Sequence, residues 1–259
     1  MEITKENIKT VTVAPEYIKK TLKFNDSEVL QINVKYPGIK ILPAVLYHKT
    51  EKKINDFYNA VIRNFINFCE KKLYRNSAAE FIEYKNNAGN EINNINNIYS
   101  NNKFRPFGAV ITFDVTYNKN DFMCICLDIS IYAGKGRGNT ARKAHIWNLN
   151  TGELLSPERF IKFNRQVKSK ICGYICETME NQIKRGEEYY IKLDMPSVYR
   201  YLSMRNFYLS ESKNNKEYCF FFPQNTVAPV ESGIVSFDIP EKVVSTFLSS
   251  NKKVAKKLT

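Results

Sequence analysis

The sequence predicts an α+β protein, antiparallel sheet carrying two long amphipathic helices packed on it. Alternating apolar residues recur along the chain in the manner of strands. One stretch, about Lys49–Arg75, instead repeats its apolar positions every three and four residues, and a helix start signal at Ser156-Pro157-Glu158 marks a second long helix. Phe107–Tyr117 and Phe122–Tyr132 are separated only by NKND, which reads as a hairpin turn.

The elements follow in order. Residues 8–13 (IKTVTV) and 28–36 (EVLQINVKY) alternate as strands, and Pro37-Gly38 reads as the turn after them. From about Lys49 to Arg75 the period changes to that of a helix, with Ile54, Phe57, Tyr58, Val61, Ile62, Phe65, Phe68 and Cys69 on one face. Residues 86–102 hold nine asparagines, which favour caps and turns, and read as a loop or frayed helix end. The hairpin of FGAVITFDVTY and FMCICLDISIY comes next, then a strand at about Thr140–Leu149. Ser156-Pro157-Glu158 reads as a helix start with an N-cap serine, first-position proline and early acid; that helix is expected to reach Arg185 and end at Gly186. Strands are expected at 206–211, 217–222 and 234–239, with Pro240 opening a short closing helix. Residues 1–150 form a sheet-and-helix portion and 151–259 a helix-and-strand portion. No linker separates them, so one unit is expected.

The chain has 259 residues, 43% of them hydrophobic, which is a globular composition. No run is long and apolar enough to span a bilayer. The start, MEITKENIKTVTV, lacks the apolar stretch of a secretory signal, so the chain as written is expected in the cytosol; trimmed of a leader or anchor, it would belong to the cell envelope. The net charge is +13, but successive blocks of fifty carry +3, +1, +4 and +2, with +3 in the remainder. Lys135, Arg137, Arg142 and Lys143 form one cluster and the tail NKKVAKKLT another. A solvated basic surface explains this spread better than a dedicated polyanion groove.

Chemistry-bearing motifs are sparse. Cys124 and Cys126 share a strand face, and Cys172 and Cys176 share a helix face. Neither pair has the C-x2-C spacing of zinc knuckles, and all sit in apolar runs, so reduced core thiols and no metal are expected. The two histidines, His48 and His145, belong to no metal array; His145 reads as a hydrogen-bonded structural residue on the face of Trp147 and Leu149. Asp114 and Asp128 lie on neighbouring strands, where solvent-side aspartates are the simpler reading than a carboxylate pair. No catalytic constellation or cofactor motif is present, so a non-enzymatic protein is expected.

The segment YAGKGRGNTARKAH, 132–145, places Gly134, Gly136 and Gly138 among Lys135 and Arg137. A P-loop or dinucleotide fingerprint would open a helix with these glycines. Here alternating residues follow, so the glycines serve a hairpin tip.

Three segments, in order, suggest kinship: the glycine stretch with LNTGEL at 149–154 and a helix after it, NFYLSE at 206–211 before a strand ending FFF, and VAPVESGIVSFDIP at 227–240. Together they resemble the domain family found in the extracellular part of the anti-sigma-V factor and beside the catalytic domain of a peptidoglycan deacetylase. The resemblance covers roughly 8–240. It implies helices on antiparallel sheet and non-catalytic binding at the bacterial envelope; the anti-sigma member senses lysozyme. This chain departs from the family where Gly-Gly-Ala-His-Gly becomes Ala133–Gly138 without histidine, and where aromatics flanking the Ala-Pro pair become Asn225 and Val230. The sigma-binding segment and anchor have no counterpart, so a soluble module is expected. Lysozyme is strongly basic, and like net charge disfavours it as partner.

The expectation is thus a binding or sensor module for an envelope glycan or protein. Its candidate surface is the hairpin tip (Tyr132, Lys135, Arg137, Asn139) and the loop with Gln224, Asn225 and Glu231, since loops carry binding on such scaffolds. A polyanion or nucleic-acid binder is the alternative, and a hydrolase the second alternative.

Overall fold

A computed structural model describes residues 9–91, 103–134, 138–187, 189–212 and 215–244. The architecture is α+β, as the alternation and helical spacing predict. Strands β1 (Thr10–Phe24), β2 (Ser27–Leu42), β3 (Phe107–Lys119), β4 (Phe122–Tyr132), β5 (Asn139–Asn148) and β6 (Glu153–Leu155) form one sheet in that order. Strands β7 (Phe207–Ser212), β8 (Asn215–Phe222) and β9 (Val235–Pro240) form a second. All pairs are antiparallel except β2 with β3, which are parallel and joined through the long helix.

Two hairpins turn on the same dipeptide. Asn25-Asp26 joins β1 to β2, and Asn120-Asp121 joins β3 to β4, each residue at positive φ (47°, 63° and 52°, 64°). Two-residue hairpin turns require this left-handed conformation, which Asn and Asp tolerate best among residues other than glycine.

Pro37-Gly38 is not a turn. It lies within β2, opposite Ala14 and Pro15 of β1. The buried phase switches there: Leu30, Ile32 and Val34 face inward before it, Ile39 and Ile41 after it. β3 pairs with β2 only as far as Val34, so Pro37 sits where its missing N–H leaves no ladder bond unmade on that side. Beyond β3 the bare edge of β2 is met by helix side chains. Ile39 N–H donates to Asn55 Oδ1 (2.9 Å), Asn55 Nδ2 donates to the Ile39 carbonyl (2.8 Å), and Ile41 N–H donates to Glu51 Oε2 (2.8 Å). Asn55 thereby stands in for a neighbouring strand.

The helix begins at Ala44, five residues before the expected Lys49, and continues beyond Arg75. It runs as α1 (Ala44–Phe68), a π turn (Cys69–Leu73) and α2 (Tyr74–Glu91). Residues 86–91, expected in a loop, are its last turns; 92–102 lie outside the described residues. Its buried positions Tyr58, Ile62, Cys69, Leu73, Ser77 and Phe81 are mostly four apart. On an α-helix each step of four drifts by about 40°. The π turn, where Tyr74 N–H reaches the Cys69 carbonyl, takes in an extra residue and returns that row to the sheet.

The second long helix also starts elsewhere. Pro157–Arg159 is a single 3-10 turn, and the Ser156 hydroxyl bonds Glu158 instead of capping a helix. Helix α3 (Arg165–Lys184) begins after Asn164, whose side chain accepts from Val167 N–H. A short helix that alternation did not reveal, α4 (Met195–Tyr201), follows, and α5 (Glu241–Val244) comes directly after Pro240. Among the described residues no helix is long and apolar enough to cross a membrane.

Two cores flank the large sheet. Met123, Ile125, Leu127 and Trp147 pack towards α1, where Trp147 Nε1 donates to Tyr58 Oη (2.9 Å). Phe122, Cys124, Cys126 and Ile146 pack on the other side with α3 and the small sheet.

If Asn55 substitutes for a strand, Asn55→Ala should lower unfolding stability by about 1–3 kcal/mol, the usual consequence of unpairing partly buried backbone groups. Urea unfolding followed by the fluorescence of Trp147 measures it, with exposed Asn59→Ala as the neutral control.

Candidate functional site

The start of β5, just after the hairpin tip, and the loop at 224–231 come from separate parts of the fold, yet they meet. β4 ends at Tyr132 and β5 starts at Asn139, with Ile131 opposite Asn139. Strand, not helix, therefore follows Gly138, and the glycine stretch is a hairpin connection. Gly134 has φ +68°, and a Cβ there would stand 2.8 Å from Glu80 Oε1 and 2.9 Å from Phe107 Cε1, so both conformation and space demand glycine. Tyr132, half-buried, donates its hydroxyl to the Gly134 carbonyl. Asn139 is exposed; Lys135 and Arg137 lie outside the described residues.

One residue further, the outer edge of β5 is closed by the second loop. Thr140 N–H donates to Gln224 Oε1 (2.8 Å), and Gln224 Nε2 donates to the Val230 carbonyl (2.7 Å). Gln224 is thus a staple that shapes its own loop and docks it on the start of β5. Asn225, exposed at φ 59°, takes the turn's left-handed position, and Glu231 is exposed in a single 3-10 turn. Val227 and Ala228 are buried beneath.

The Val227 carbonyl accepts from Ile191 N–H (2.9 Å), which lays the segment after α3 against this loop. That segment shows solvent a row of large apolar side chains: Tyr189 is 69% exposed, Ile191 44%, Leu193 37% and Met195 42%. Sequence reasoning missed them. Their strand-like alternation, Tyr189, Ile191, Leu193, Met195, is the signal that marks them in the sequence.

Beneath the loops lies Arg142, in register with Asp128. Its Nε and Nη2 donate to the two Asp128 oxygens at 2.7 Å each, and Nη1 donates to Ser236 Oγ (3.3 Å). The guanidinium also lies 5.8 Å from the ring of Tyr208 and 5.9 Å from that of Phe221. One residue of the large sheet so touches all three strands of the small one. Asp128, expected on the solvent side, is this ion pair's acceptor; Asp114 is exposed and in register with Cys126. The apparent basic cluster also separates, because Arg142 points into the interface while Lys143 is exposed on the opposite face.

Most of the thiols, and His145, are withdrawn from solvent. The six cysteines are free thiols, five of them buried. Burial pushes Cys172 up to about 12 and Cys69 up to about 11, away from the nucleophilic thiolate. His145 stacks edge-on against Phe57 (5.0 Å) and Tyr58 (5.7 Å). The hydrogen bond expected of it is not made at its buried Nδ1, which has no partner among the described residues. Burial, then Lys143, pushes its pKa down to about 4. Among the described residues no three His, Cys, Asp or Glu side chains gather in a metal-holding group.

No family model and no curated protein matches this sequence. Solved structures do match its fold. A DUF3298 family protein from Bacteroides fragilis has a TM-score of 0.59 at 14% identity, covering 96% of this chain and 97% of its own. A DUF3298 family protein from Pseudomonas aeruginosa has a TM-score of 0.52 at 8% identity, covering 95% of this chain and 97% of its own. The chain therefore has the fold of proteins assigned to this domain-of-unknown-function family. Identities this low speak to architecture alone.

Two outcomes follow for the ionisable groups. Arg142→Met should destabilise by about 1–3 kcal/mol by stranding a partly buried carboxylate, and Asp128→Leu in the same chain should restore part of the loss. His145 is protonated at the ordinary 6.5 when unfolded but only near 4 when folded, so the unfolded chain takes up the proton first as pH falls. Stability should decline from about pH 6.5 towards 4, and less steeply in His145→Phe; urea titrations across that window measure both.

Proposed function

We propose that the protein is a non-enzymatic binding module of the bacterial cell envelope, taking a glycan or protein ligand on the joined loop surface. One observation carries the reading: the Thr140–Gln224 bond seats the 224–231 loop on the start of β5, beside exposed Asn139, as one surface. The exposed row of Tyr189, Ile191, Leu193 and Met195 adjoins it, and contiguous exposed apolar side chains rimmed by polar residues are characteristic of interaction sites. The scaffold beneath is stiff, because Arg142, Gln224 and the Thr116 hydroxyl, which donates to the Leu209 carbonyl (2.7 Å), tie the two sheets together.

The sequence resemblance to the anti-sigma-V and deacetylase accessory domains supports an envelope ligand. Its lysozyme partner does not transfer readily, since both proteins are basic. Buried thiols, a sealed histidine and an ion-paired aspartate support binding over turnover.

The test is to pass soluble peptidoglycan fragments and purified envelope proteins over the immobilised chain. Specific retention is expected, with at least tenfold faster release from Tyr189→Ser and Asn225→Ala variants. Retention of nothing, or binding indifferent to both substitutions, overturns the proposal. Binding that requires a polyanion and falls steeply with salt would favour the nucleic-acid alternative instead.

A further inference from the structure

A groove that neither loop contributes to lies between the β1–β2 hairpin tip and the helix at its π turn. Phe24 from the hairpin and Tyr74, Ala78 and Ile82 from the helix give it an almost wholly apolar lining, and its volume is about 590 Å³. It is an open groove and not an enclosed cavity, so a ligand would lie along it with one side towards solvent. Lys71 and Arg75, both exposed, also line it.

The helix geometry explains why such a groove exists. Glu70, Tyr74, Ala78 and Ile82 form one row at steps of four, and Lys71, Arg75 and Ala79 form the next. The extra residue of the π turn acts on the step from Glu70 to Tyr74; from Tyr74 onward the rows follow an ordinary α-helix. Ala78 and Ala79 leave room between the larger side chains. The hairpin is pinned alongside by the Tyr74 hydroxyl donating to the Lys23 carbonyl (3.0 Å) and by Phe24 edge-on to Phe81 at 6.3 Å.

Charge selects the occupant. The single acid of the groove, Glu70, is paired with Lys20 at 2.6 Å. Lys71 and Arg75 have no carboxylate partner among the described residues. We infer that the groove binds one free fatty carboxylate, its acyl chain lying along Phe24, Ala78 and Ile82 and its acid head between Lys71 and Arg75. One chain-sized concavity with two cations suits a single amphiphile better than the many headgroups of a bilayer.

Isothermal titration of the full chain with monomeric dodecanoate tests this. One-site binding is expected, weakened at least tenfold by the pair Lys71→Glu and Arg75→Glu. Ala79→Trp, which fills the groove from an exposed position, should abolish binding while circular dichroism and Tm stay unchanged. Dodecyltrimethylammonium, with the same tail and opposite charge, should bind at least tenfold more weakly. Tyr189→Ser should leave dodecanoate binding intact, which separates this site from the loop surface. The inference is overturned if the wild-type chain fails to bind dodecanoate, if binding survives Ala79→Trp, or if the cationic analogue binds equally. It is also overturned if anionic phospholipid vesicles bind through the same residues more tightly than monomeric dodecanoate does.

Discussion

Strand β4 is buried on both faces, and the rest of the molecule is arranged around satisfying it. From Phe122 to Leu127 each successive side chain is lost to solvent, alternately into the core under α1 and the core under α3 and the small sheet. A strand in this position is stable only if both faces are covered. The amino-terminal helix supplies one cover and the carboxy-terminal half supplies the other. Portions 1–150 and 151–259 therefore share a core: Cys124 and Cys126 of the first pack with Ile171 and Cys172 of the second.

The same demand explains the polar bonds at sheet edges. Each strand that outruns its neighbour leaves donors and acceptors bare, and buried backbone groups rarely go unpaired. Asn55 and Glu51 serve β2, and Gln224 serves β5. These side chains hold the helix and the small sheet at fixed positions. Arg142 does the same across the sheet interface, where Asp128 keeps its charge matched and Tyr208 and Phe221 line its flanks.

Binding on such a frame is a matter of what the frame leaves outside. Val227 and Ala228 are buried beneath Asn225 and Glu231, so the 224–231 loop is held from below by the core of the small sheet. The groove at the π turn is a second consequence of a covering element, since the helix must add a residue to stay on the sheet and the irregularity falls where the hairpin tip crosses it. Both surfaces are by-products of covering β4.

Elements whose pattern is local were legible from sequence. Alternation in FMCICLDISIY, the short NKND link and the three-and-four spacing after Ile54 identify strand, turn and helix because each is set by neighbours a few residues away. Boundaries were less legible. Pro37-Gly38 has turn chemistry, but pairing with Ala14 and Pro15 holds it extended. Ser156-Pro157-Glu158 has capping chemistry, but only one turn forms before Asn164 starts the helix that packs into the core. Of the candidate residues, Tyr132, Asn139, Gln224, Asn225 and Glu231 were named from turn composition, yet nothing in the sequence joined the two loops or exposed the row from Tyr189 to Met195. The sequence by itself determined the α+β class, the hairpins and the amphipathic helices, because periodicity records which face of each element must be buried. Only the tertiary structure decided which faces meet, that Arg142 and Gln224 are staples and not free polar groups, and where apolar side chains stay exposed, because those depend on contacts between residues tens of positions apart.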